Sequence, residues 1–220
     1  MVTNPIEYSK AYLRYENALD ELERRSTDLR ALHGIEEIEA RRETKIRGAL
    51  FNDVVRELLV EELDNQFGAG SYVVSLPNSY ILGSKYEYDL LVMKGDAKVL
   101  ELRFFLPTDV LAIVECKTGG LYNVRADVER VSKSVNAGLK LNPSIRFGYI
   151  SLWENFPKNL TNRDGRPTVN HREQTKNGLL ELIEGKVSTL FLTTKTSHKI
   201  IEASSDDDFK QFAFSLVDSN

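Results

Sequence analysis

Glu115 and Lys117 stand two positions apart at the end of an uninterrupted apolar run, Val110-Leu111-Ala112-Ile113-Val114, and Gly119-Gly120 follows them. A short run this rich in β-branched residues reads as a strand buried on both faces, with the glycines as its break. Side chains alternate across a strand, so Glu115 and Lys117 share one face, with Cα atoms about 6.5–7 Å apart. Cys116 points to the other face and reads as a small core residue rather than a nucleophile. A carboxylate and an ammonium are costly to desolvate at the end of a buried strand. Two readings are open: Glu115 holds a metal ion while Lys117 holds a reacting water, or the two form a structural ion pair. The spacing alone does not choose, because acid-x-Lys recurs at Glu43-Thr44-Lys45, Asp96-Ala97-Lys98, Glu184-Gly185-Lys186 and Asp208-Phe209-Lys210.

Context separates the copies. Only the one at 115–117 closes an apolar strand, and only it follows a second strand with an acid suitably placed. That second strand is expected over Tyr86-Glu87-Tyr88-Asp89-Leu90-Leu91-Val92-Met93, where Glu87, Asp89, Leu91 and Met93 would share a face, with Gly95-Asp96 as the turn after it. Asp89 followed by Glu115-x-Lys117 resembles the PD-(D/E)xK phosphodiesterase superfamily. The Gly-Ala-Leu at 48–50, the Gly-Ser at 83–84 and the order helix, Asp-bearing strand, Glu-x-Lys strand, helix extend the likeness over roughly residues 43–155. In detail the chain looks like a mostly uncharacterised bacterial family of that superfamily, alongside restriction-endonuclease-like nucleases. It departs from the pattern at Tyr88, where relatives often carry proline, and in lacking an unambiguous counterpart of the glutamate on their first core helix.

The resemblance implies a DNA endonuclease of restriction or phage-defence type that uses Mg²⁺, with Mn²⁺ substituting. Phosphodiester cleavage needs an activated water and relief of charge on phosphate, and a hard cation held by carboxylates supplies both. Asp89 and Glu115 would hold it together with the backbone carbonyl of Cys116. Lys117 would orient or deprotonate the water, with desolvation expected to lower its pKa. The helix acids Glu43, Asp53 and Glu57, and Glu87 beside Asp89, are the candidates for an additional ligand. The competing class is a nuclease-fold protein that has lost catalysis and acts as a DNA-binding or structural module. An intact Asp89, Glu115 and Lys117 weighs against it.

These residues must be positioned by an α/β domain, a mixed central sheet flanked by helices, assigned to 41–220 and preceded by an N-terminal helical arm over 1–40. In the arm, Tyr8, Tyr12, Tyr15, Leu19, Leu22, Ser26 and Leu29 alternate in steps of four and three, the seam of a coiled coil. The seam either packs on its own domain or pairs with a second copy, giving a homodimer through this helix. His33-Gly34 is expected to interrupt the helix. The first core helix, Ile46 to Leu63, shows a broad apolar stripe through Leu50, Val54, Val55, Leu58, Leu59 and Leu63. Strands are expected at 72–76, 99–105, 145–152 and 189–193, and helices at about 122–141, 179–183 and 206–217.

Residues 155–178 turn polar and read as a loop, in which Lys158, Arg163, Arg166, Arg172 and Lys176 outnumber Asp164 and Glu173. So long a loop is either a solvated excursion or, as the functional reading has it, a phosphate-contacting segment for DNA. Asp206-Asp207-Asp208 mimics a metal cluster but opens a helix, where acids answer the macrodipole. The net charge of −4 argues against a surface that binds nucleic acid everywhere while leaving room for local patches. A single cysteine excludes intrachain disulfides and Cys-based zinc sites. No P-loop, nucleophile-elbow serine or internal repeat is visible. The absence of a long apolar stretch or signal-peptide core leads to the expectation of a cytoplasmic protein without a membrane partner.

Overall fold

A computed structural model describes residues 10–34, 44–100, 103–118, 124–152, 171–196, 199–203 and 205–217. Its centre is a five-stranded mixed sheet formed by β1 (Tyr72–Val74), β4 (Leu90–Lys94), β6 (Val110–Lys117), β7 (Arg146–Ser151) and β8 (Val187–Phe191), in the order β1-β4-β6-β7-β8. β4 pairs antiparallel with both β1 and β6, whereas β6, β7 and β8 are parallel to one another. Two smaller sheets accompany it. One joins β2 (Ser79–Ile81), β3 (Glu87–Tyr88) and β5 (Phe104–Phe105), and the other is the antiparallel pair β9 (Thr193–Thr196) and β10 (Lys199–Ala203).

Helices cover both faces of the main sheet, as an α/β architecture requires. On one face, α1 (Lys10–His33), α2 (Thr44–Phe67) and α5 (Asp206–Ser215) share a core with Leu90, Val92, Ala112, Val114, Cys116 and Ile150. On the other, α3 (Val124–Leu141) and α4 (His171–Leu182) cover Leu91, Met93, Ile113, Phe147 and Tyr149. The apolar residues of α3, Val128, Val131, Val135 and Leu139, recur at helical spacing and are all buried. Ser205 and Asp208 form a capping box at the start of α5, so the acidic triplet serves the helix. That helix lies close over Gly148 of β7, where an added Cβ would stand 2.7 Å from Leu216 and 2.9 Å from Phe212.

The N-terminal seam faces its own chain. Tyr12, Tyr15 and Leu19 are buried in the core shared with α2, and the Tyr15 and Phe51 rings meet edge to face at 5.6 Å. Tyr8 lies outside the described residues, as does the side chain of Leu29. The break at Gly34 is present, with φ at 66°.

Three expectations need correction. The strand expected over 86–93 is two strands, β3 and β4, divided at Asp89, because Tyr88 pairs with Ser79 in the small sheet while Leu90 pairs with Val114 in the large one. The strand expected at 99–105 is reduced to Phe104–Phe105, seated beside the three-residue β2. Residues 171–178 of the expected loop belong to α4, which buries Thr175 and Leu179, while 155–170 lie outside the described residues. Among the described residues, no helix is long and apolar enough to cross a membrane.

Candidate active site

Asp89 occupies the bend at which the chain passes from the small sheet to the large one. Its backbone is held on both sides. Asn78 N–H donates to the Asp89 carbonyl at 3.2 Å, and Leu91 N–H donates to the Ser75 hydroxyl at 2.9 Å. Asn78 itself adopts a left-handed φ of 61°, a conformation asparagine tolerates better than most residues. Tyr88, in place of the proline common among relatives, is buried beneath α3. Its hydroxyl donates to the Ser134 carbonyl at 3.1 Å and lies 2.8 Å from the Ser84 hydroxyl. A packed phenol thus restrains the residue before Asp89 where a proline ring would otherwise do so.

The Asp89 carboxylate accepts a hydrogen bond from Cys116 N–H at 2.9 Å. It is therefore tied to the strand that carries Glu115 and Lys117. The amide and carbonyl of one strand residue point to the same edge, so the Cys116 carbonyl is directed to the Asp89 side of β6. The Lys117 carbonyl, by contrast, accepts from Leu152 on the β7 side. The Cys116 thiol is buried in the core shared with α2, where burial pushes its pKa well up and keeps it protonated. The Lys117 ammonium hydrogen-bonds the Glu115 carboxylate and stands 3.7 Å from the Asp89 carboxylate. One cation thus closes on two acids.

Glu115 and Lys117 are 15% and 22% exposed, enough for a substrate to reach but mostly desolvated. Burial raises the Glu115 pKa; the Lys117 charge opposes that, and the nearby Asp89 charge reinforces it. For Lys117 burial pulls downward, but the Glu115 and Asp89 carboxylates outweigh it and the pKa lies above the ordinary lysine value. The expected lowering by desolvation is therefore reversed. An ammonium between two acids gains more from them than it loses to burial.

The additional acids do not join this group. Asp53 and Glu57 are exposed on α2, whose apolar stripe packs on the face of the sheet opposite Glu115 and Lys117. Glu87 is exposed on the small sheet and accepts a hydrogen bond from the Tyr80 hydroxyl at 2.5 Å, because the chain bends at Asp89 and removes the shared face. Glu43 lies outside the described residues. So do Lys158, Arg163 and Arg166, as well as the side chain of Arg172; Lys176 is exposed on α4. Among the described residues, no group of three or more His, Cys, Asp or Glu side chains could hold a metal ion. The oxygens that could hold a cation here are the Asp89 and Glu115 carboxylates and the Cys116 carbonyl, all hard donors. That suits Mg²⁺, which is held by one or two protein carboxylates and otherwise by water and substrate phosphate.

No protein-family model matches the sequence, and no curated protein matches it. Among solved structures, the chain is similar to NucC of P. aeruginosa ATCC27853 in its cAAA-bound form, at 12% identity and a TM-score of 0.46 over 96% of this chain and 90% of that one. It is also similar to the Bse634I restriction endonuclease, at 13% identity and a TM-score of 0.48 over 90% and 84% of the two chains. The likeness to PD-(D/E)xK phosphodiesterases rests on the chain's own architecture: an acid at the start of one strand and Glu-x-Lys at the end of its antiparallel neighbour, joined through a single ammonium.

Proposed function

We propose that the protein is a Mg²⁺-dependent endonuclease that hydrolyses phosphodiester bonds in DNA, in a restriction or phage-defence setting. The observation that carries this reading is the meeting of Asp89, Glu115 and Lys117 at one end of the central sheet, partly open to solvent. The restriction setting follows from the resemblance to restriction-endonuclease-like nucleases.

Asp89, Glu115 and the Cys116 carbonyl would hold the cation, and Mn²⁺ would serve in its place. When bound, it supplies charge neutralisation at phosphate and a water of lowered pKa. The chain's own part is to bind, orient and move a proton. The amide of Cys116 keeps Asp89 directed at the site. Lys117 carries its proton at neutral pH while both carboxylates face it, and in that state it donates to a water or a phosphate oxygen. Once the carboxylates are engaged elsewhere, burial is the main influence left on Lys117, and burial favours the neutral amine. Lys117 can then accept a proton from the attacking water.

Plasmid DNA incubated with the pure protein and Mg²⁺ or Mn²⁺ tests the reading, with a chelator and a single-stranded RNA of similar charge as controls. Cleavage by wild type, lost with chelator and in Glu115→Ala, is expected. Metal-independent cleavage, or equal cleavage by Glu115→Ala, would discard it. DNA binding without cleavage would move the chain to the class of inactive nuclease-fold modules.

A further inference from the structure

Among the described residues, three core hydroxyls lack a well-formed hydrogen bond: Tyr149, Ser151 and Thr175. All three residues are fully buried. Buried hydroxyls are nearly always satisfied, so each unsatisfied one calls for a reason. Their placement supplies one. In the parallel pairing of β6 with β7, Glu115 stands beside Tyr149 and Lys117 beside Ser151. Residues paired in this way project from the same face of a sheet, so both hydroxyl-bearing side chains flank the Glu115–Lys117 pair. Thr175 precedes Leu179 by one turn on the stripe with which α4 covers that same face.

Electrostatics link the groups. Burial raises the Tyr149 pKa, and the Glu115 charge is the next largest cause of the rise. Ser151 lies beside the phenol and acts on it in the opposite sense through a hydrogen-bond contact, one too loose to satisfy either hydroxyl fully. Glu115 meanwhile takes its hydrogen bond from Lys117, through one carboxylate oxygen. In the proposed reaction Lys117 must turn to substrate or water, and Glu115 then loses that donor.

We propose that Tyr149, with Ser151 beside it, is a positioning residue: it supplies the donors that hold the Glu115 carboxylate in its cation-binding orientation when Lys117 leaves it. This rests on the proposed metal site. Carboxylates that ligate metals are commonly fixed by hydrogen bonds of their own, and removing such a donor costs about 10–100-fold in metal affinity or activity.

The test is Tyr149→Phe in the full chain, which removes one oxygen and keeps the ring, with Ser151→Ala as its companion. The probe is Mn²⁺ alone, followed by its effect on melting temperature, and then the Mg²⁺ dependence of single-turnover DNA cleavage. Tyr149→Phe should melt close to wild type without metal, because the oxygen it loses makes no well-formed hydrogen bond. It should need about 10-fold more Mn²⁺ for the same stabilisation and more Mg²⁺ for half-maximal cleavage. A variant with unchanged metal response, or one that melts lower while its metal response stays the same, overturns the positioning role. A wild type that shows neither a metal response nor cleavage overturns the metal-site reading and this inference with it. Failure in wild type and failure confined to the variant are thereby told apart.

Discussion

Replacing Lys117 by Met removes the one cation that, among the described residues, is paired with both Asp89 and Glu115. At 3.7 Å from Asp89, a unit-charge pair at an effective dielectric of about 20 is worth about 4.5 kcal/mol before desolvation is counted. Losing one partner of a buried pair costs about 3–5 kcal/mol. Here the three side chains are 15–24% exposed, so solvent screening brings the expected loss to about 2–3 kcal/mol. For a chain of this size that is about 4–12 °C in melting temperature. The pH dependence has a definite sign. The Lys117 pKa is raised above 10.5 in the folded state, so its stabilisation is complete at neutral pH and is lost only as pH rises through that raised value. Glu115 is raised above 4.5, so the deficit of Lys117→Met should shrink on acidification, as protonation relieves repulsion from Asp89. Saturating Mg²⁺ should also shrink it, because a divalent cation replaces the missing ammonium. Thermal melting across pH, with and without Mg²⁺, reads all of this, and single-turnover cleavage should fall about 10²–10⁴-fold. A variant that melts with wild type under every condition would refute the account of the site as two acids balanced on one ammonium.

Lys117→Arg keeps the charge and should recover most of the stability but little of the cleavage, since arginine stays protonated and presents its donors differently; cleavage near the wild-type rate would return Lys117 to a structural role. Asp89→Ala should abolish cleavage while leaving DNA binding in a mobility-shift assay intact or tighter, because it removes a negative charge facing phosphate. Tyr15→Ala should cost about 3–5 kcal/mol in urea unfolding, and an unchanged midpoint would show that α1 does not belong to the core. Gly148→Ala should be destabilising, because the added methyl would stand 2.9 Å from Phe212 of α5 and 2.7 Å from Leu216 just after it; a melting temperature equal to that of wild type would contradict the close packing of α5.

The candidate site was legible because its signal is local. The run 110–114 announces a buried strand, and the charges that end it are anomalous enough to name Glu115 and Lys117 before any fold is known. The orientation of Cys116 followed from the same alternation. What sequence could not supply depended on partners distant in the chain. The shared face assigned to Glu87 and Asp89 assumed one continuous strand, yet Tyr88 and Leu90 pair in different sheets. Asp53 and Glu57 looked available only because the covered face of the sheet was unknown. Tyr149 and Ser151 read as ordinary residues of a buried strand, and only the register with β6 sets them beside the charged pair. The rise in Lys117 pKa could have been anticipated, since the acid responsible stands two positions away.

The hydrogen bond from the Cys116 amide to the Asp89 carboxylate has a spectroscopic consequence. A cation drawing on Asp89 competes for the electrons that this amide proton uses. If the proposed cation binds, the ¹⁵N–¹H resonance of Cys116 would therefore serve as a built-in titration signal, at a residue whose own side chain faces away from the site. Following that single cross-peak would separate cation binding from DNA binding without altering an atom of the protein.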